Sequence, residues 1–146
     1  MNALTKTPRR TLSAALAAAV VALSAHSGLA AAKDVKVTLG GDQEVPPVTT
    51  AAKGSGTISV GADKSVSGSV TTTGVPGTMA HIHEGAPGKN GPVVIPLSKG
   101  GEGVWSVPPG AKLTDAQYKS FEAGNLYVNV HSAAHQGGEI RAQLKP

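Results

Sequence analysis

The 146-residue sequence contains no cysteine. That absence excludes a disulfide framework, a thiolate nucleophile, an iron–sulfur cluster and any zinc or blue-copper site that needs thiolate. Aromatic residues are almost as scarce. Trp105, Tyr118, Phe121 and Tyr127 are all of them, and all fall between residues 105 and 127. The core must therefore be assembled from Val, Ile, Leu and Ala, which suits closely packed sheets. No acidic residue precedes Asp34. The longest apolar run, Leu12 to Leu23, is too short to anchor the chain across a bilayer.

What the sequence does have begins with a basic balance, a net charge of +4 and a pI near 9.5. Its distribution removes nucleic acid as a partner. Lys6, Arg9 and Arg10 precede the Ala/Val/Leu run, which ends in the small residues Ala30-Ala31-Ala32. A basic start, an apolar middle and an A-x-A end predict a secretory signal peptide over residues 1–32, cleaved after Ala32. Arg9-Arg10 hints at twin-arginine export, but Pro8 before the pair and Leu12 after it fit that signal poorly. The remaining residues, 33–146, carry ten basic against nine acidic side chains, a balance of +1. Such a domain has no electrostatic footprint for nucleic acid. It is expected in the periplasm or outside the cell, free of the membrane once the leader is removed.

Glycine and proline divide residues 33–146 into short runs, the pattern of an all-β domain rather than of βαβ units. Val35, Val37 and Leu39 alternate with Lys36 and Thr38, as in a half-buried strand. Thr57–Val60 and Ser65–Thr72 read as strands joined by a turn at Gly61-Ala62-Asp63-Lys64. Met79–Glu84, Val93–Leu97, Val104–Val107, Leu126–His131 and Glu139–Leu144 complete the series, with Lys99-Gly100-Gly101 as a separator. The two prolines in Gln43–Val48 demand an edge or a corner. One helix is predicted: Thr114 and Gln117 fit a capping box and Gly124 a left-handed stop. The fold class is a single antiparallel, immunoglobulin-like or Greek-key β-sandwich with one short helix.

Four histidines follow the leader, in two clusters: His81 with His83, and His131 with His135. Residues two apart in a strand share a face. His81 and His83 therefore point one way, with Met79, while Ala80 and Ile82 point the other. In the late strand Tyr127, Asn129 and His131 share one face, and Val128 and Val130 face the core. A pair of imidazoles from one strand and a third from its partner can surround one ion. Copper fits that set, with zinc as the alternative. The expected ligands are His81, His83 and His131, with His135 as a fourth across the loop. Glu84, Asn129, Glu139 or backbone carbonyls are the expected partners for the second ring nitrogens. Met79 reads as a core filler at the strand start rather than a soft ligand. The competing reading makes the histidines structural members of a protein-binding module.

Three blocks carry a family resemblance: Gln43-Glu44-Val45-Pro46-Pro47-Val48; Ala80-His81-Ile82-His83-Glu84-Gly85 with Gly88-Lys89-Asn90-Gly91-Pro92-Val93-Val94; and Tyr127-Val128-Asn129-Val130-His131 with Gly138-Glu139-Ile140-Arg141-Ala142-Gln143-Leu144. In this order they resemble the chordin (CHRD) domain. The resemblance implies an exported immunoglobulin-like sandwich. Because animal chordins sequester secreted growth factors, it also implies an extracellular protein partner. The segments around His81, His83 and His131 are more distantly similar to the copper-ligand strands of copper–zinc superoxide dismutases. That likeness implies copper at these three residues and a superoxide-dismutase-like oxidoreductase as a further alternative. The cysteine pair, the bridging histidine and the zinc loop of that family are missing, so the likeness carries to copper binding better than to turnover.

The Gly85–Gly91 loop lacks the Lys-Ser/Thr ending of a phosphate cradle and opens no helix. Ser106, Ser120 and Ser132 stand in no nucleophile elbow. Asp42 and Glu44 lack the spacing of a calcium loop.

Overall fold

The computed structural model describes residues 31–146. The leader predicted over residues 1–32 lies outside that range except for its last two residues. Nine strands and one helix follow among the described residues: β1 Lys33–Leu39, β2 Lys53–Val60, β3 Val66–Thr73, β4 Gly77–Glu84, β5 Val93–Pro96, β6 Ser98–Gly101, β7 Val104–Ser106, α1 Asp115–Glu122, β8 Leu126–Ser132 and β9 Ile140–Leu144. They form two antiparallel sheets, ordered β1-β2-β3-β7-β6 and β5-β4-β8-β9. The all-β sandwich expected from the punctuated sequence is the observed fold. No helix among the described residues is long and apolar enough to cross a membrane.

Alternation builds the core. Val35, Val37 and Leu39 from β1, Ile58 and Val60 from β2, and Val70 from β3 face Ala80, Ile82, Val128, Val130, Ile140, Ala142 and Leu144 of the second sheet, and all are buried. The β2–β3 turn forms as its composition demands. Asp63 Oδ1 accepts from the Ser65 amide at 3.1 Å, and Lys64 takes a φ of 68°. Helix α1 starts on the expected capping box. The Gln117 amide donates to Thr114 Oγ1 at 3.2 Å, and the Thr114 amide to Gln117 Oε1 at 2.9 Å. Phe121 is fully buried, and α1 ends at Gly124 with φ 73°.

Two segments differ from the reading of the sequence. Lys99-Gly100-Gly101 is not a separator but most of edge strand β6, with Lys99 opposite Trp105. Strand β2 begins at Lys53 rather than Thr57, because Gly54 and Gly56 pair with Thr72 and Val70. Glycines read as breaks are here tolerated where two strands run close together.

The sandwich is closed along one side. Gly40, just beyond β1, exchanges backbone hydrogen bonds with Arg141 of β9 at 3.1 and 3.0 Å. The segment Gly41–Val48 is thereby laid beside the outer face of the smaller sheet. It contains a short 3₁₀ turn over Gly41–Gln43, consistent with the expected corner.

Ile140 is fully buried, and its Cδ1 lies 3.4 Å from where a side chain on Gly54 of the facing sheet would begin. Ile140→Ala opens a void between the sheets and should lower the unfolding free energy by about 2–5 kcal/mol. The measurement is the urea midpoint at unchanged slope. A loss under about 1 kcal/mol would place Ile140 outside the packed core.

Candidate metal centre

Strand β4 pairs with β8 so that Met79 faces His131, His81 faces Asn129 and His83 faces Tyr127. Strand β9 continues the rows, with Arg141 beside Asn129 and Gln143 beside Tyr127. Every one of these side chains projects from the face opposite the core. On an ordinary sandwich that face is wet. Here all seven residues of β8 are buried. Loop 85–92, turn 133–139 and the Glu44–Val45 segment fold over the face and cover it.

The three rings meet under this cover. His81 Nδ1 lies 3.0 Å from His131 Nε2. Ring centroids are 5.4 Å apart for His81–His83, 4.9 Å for His81–His131 and 5.9 Å for His83–His131. One nitrogen from each ring falls within 4.8 Å of the other two. His83 and His131 are 8% and 6% exposed, and His81 is half-buried, so the cluster reaches solvent past His81.

Backbone carbonyls orient two of the rings. His83 Nδ1 donates to the Gly91 carbonyl at 2.9 Å and His131 Nδ1 to the Gln136 carbonyl at 2.8 Å. Each bond leaves the lone pair on Nε2. His131 Nε2 then accepts from His81 Nδ1, while His83 Nε2 is buried with no partner at all. A buried ring nitrogen with a free lone pair is an acceptor in want of a donor or a cation. Burial lowers the pKa of His81 and of His83, and the neighbouring His131 lowers both further. At neutral pH these two rings are therefore uncharged, the form that ligates metal.

The expected carboxylate and amide partners serve elsewhere. Glu84 accepts from Ser120 at 2.5 Å, and Glu139 from Thr50 at 2.8 Å and Ser132 at 2.5 Å. Asn129 Nδ2 donates to the Gly137 carbonyl at 3.5 Å, and the Asn129 amide also lies close enough to His83 and Glu44 to favour their charged forms. His135 lies outside the cluster. Its backbone closes the turn with Ser132, its amide donating to the Ser132 carbonyl and its carbonyl accepting from the Ser132 amide. Met79 is not a core filler: it is 49% exposed on the histidine side of β4.

Several supporting residues escaped the sequence reading because none is a metal-type side chain. Tyr127 stacks on His83 with centroids 4.9 Å apart and planes within 3°, and its hydroxyl accepts from the Gly91 amide at 3.2 Å. The Arg141 guanidinium lies 3.4 Å over the same Tyr127 ring and donates to the Ala86 carbonyl and Gln143 Oε1. Gly91 is obligatory here, since a Cβ would sit 1.6 Å from the Glu84 carbonyl oxygen. At Gly138, with φ +131°, a Cβ would overlap the Glu44 carboxyl.

Glu44, 4% exposed, lies against Asn129 and Gly138 with Oε1 unpartnered. Desolvation pushes its carboxyl up to about 7, outweighing the attraction of Arg141. Between about pH 4.5 and 7 the unfolded chain has released this proton and the folded chain keeps it. The contribution of Glu44 to stability is thus complete below that window and falls as pH rises through it. Glu44→Gln cannot ionise. The stability of the variant relative to wild type should rise from pH 4.5 to pH 7 and level off above. Parallel urea titrations across this range are the measurement, and a pH-independent difference would contradict the buried, protonated carboxyl.

Residues 35–144 match the family model of the CHRD domain. No curated protein and no solved structure matches the chain. The match spans β1 to β9 and takes in the three converging histidines and the loops that cover them. The chain belongs to the CHRD domain family.

Proposed function

We propose that this CHRD domain is an exported module that holds one metal ion, copper in preference to zinc, through His81, His83 and His131. The observation that carries the reading is the pairing of His81 Nδ1 with His131 Nε2 at 3.0 Å beside the unpartnered His83 Nε2. Two nitrogens bound about 2.0–2.1 Å from one ion and separated by that distance subtend roughly a right angle. The pair is therefore already spaced for a shared ion. On loading, the proton that His81 carries on Nδ1 moves to Nε2, and His83 gains the partner it lacks. Export rests on the basic, apolar and small-residue order of residues 1–32.

Holding or delivering the ion fits better than superoxide-dismutase-like turnover. A dismutase needs a free cation at the mouth to guide its anionic substrate. Arg141 is 1% exposed and engaged with Tyr127, Ala86, Asn90 and Gln143.

Copper loading followed by metal analysis tests the reading. Wild type should retain one copper per chain, and so should His135→Ala. The double variant His81→Ala/His83→Ala should retain none. Equal copper in the double variant and wild type would return the histidines to a purely structural role in a protein-binding module.

A further inference from the structure

Met79 and Val93 are the exposed large hydrophobic side chains among the described residues. Both border the histidine cluster: Met79 lies directly across from His131, and Val93 directly across from His83. Side chains opposed in an antiparallel pair start about 4.5–5.5 Å apart at Cβ. Met79 is also two residues before His81 on the same face. Its side chain thus starts beside those of His81 and His131, whose ring nitrogens are 3.0 Å apart. The cluster is closed from below by Tyr127 and from the side by Gly91 and Gln136, but remains open past the half-buried His81. Met79 stands beside that opening. A thioether left in water gains nothing from burial and is open to oxidation. Its three rotatable bonds nonetheless let the sulfur swing over the opening.

We propose that Met79 supplies a fourth, sulfur ligand to the ion held by His81, His83 and His131, and that this ligand makes the centre select copper(I). The inference rests on the histidine centre proposed above. Thioether sulfur is soft and favours copper(I), whereas zinc and copper(II) are satisfied by the imidazoles. The two buried rings form the floor of the site, and the sulfur would close its open side past His81.

Met79→Leu keeps the size and apolarity of an exposed side chain, so the variant should fold as wild type does. Copper(I) affinity is measured anaerobically with ascorbate, in competition with bicinchoninate, and zinc(II) affinity in parallel. Copper(I) affinity should fall about tenfold or more in Met79→Leu, with zinc(II) affinity unchanged. In wild type, one equivalent of copper(I) should also move the Met79 methyl resonance, and zinc(II) should not. Equal copper(I) affinity in the two proteins would overturn the sulfur ligand while leaving the histidine centre intact. Equal losses for both metals would assign Met79 to packing and overturn the copper(I) preference. A wild type that takes up neither metal would overturn the histidine centre, and the role of Met79 with it.

Discussion

The antiparallel register of β4 on β8 decides what the outer face of the smaller sheet carries. With Ala80 opposite Val130 and Ile82 opposite Val128, the small and branched residues pack into the sandwich. The same pairing sends His81, His83, Tyr127, Asn129 and His131 outward together. A slip of one residue would exchange the two sets, driving three imidazoles into an apolar core and exposing the valines. The hydrophobic demand of the core therefore holds the histidine cluster in place, and no residue of the cluster has to provide that stability itself.

The outward set would be an ordinary wet surface but for its cover. Loop 85–92 is tied down by His83, Tyr127, Arg141 and Gln143, and turn 133–139 by His131. Most of these bonds join a side chain to a backbone carbonyl or amide, so the loops need little sequence of their own beyond glycines where the chains touch. Burying this polar layer is costly wherever a group goes unpaired. Glu44 Oε1, Asn129 Oδ1 and His83 Nε2 are unpaired acceptors in this region. Protonation relieves the carboxyl, and the proposed ion would relieve the imidazole. Of the four buried side-chain atoms without a partner among the described residues, all but Trp105 Nε1 thus lie in this region.

Much of this was legible in the sequence. Alternation at Val35–Leu39 and around Val128–Val130, the turn at Asp63 and the Thr114–Gln117 cap each specify local structure through short-range chemistry. Strand parity alone brought His81 and His83 to one face. The convergence of His131 followed from the same parity together with the expectation that its strand would pair with theirs. What stayed hidden depends on contacts distant in the chain. Glycine at 54, 56, 100 and 101 reads as a break because nothing local reveals a partner strand close by. Alternation puts Tyr127 and Asn129 on the histidine face, but it cannot foresee loops folding back to bury that face, nor Arg141 packing over Tyr127. Parity puts Met79 on the histidine face, yet it reads as a core filler because methionine usually is one; its exposure and its register with His131 show it at the edge of the cluster instead. His135 was grouped with His131 by proximity in sequence, but the turn between them spends its backbone on Ser132.

Diffraction at the copper absorption edge from crystals of the copper-loaded chain tests the central claim most directly. One anomalous peak is predicted, about 2.0–2.1 Å from a nitrogen of each of His81, His83 and His131. Copper found only at exposed side chains, with His81 Nδ1 still hydrogen-bonded to His131 Nε2, would contradict it.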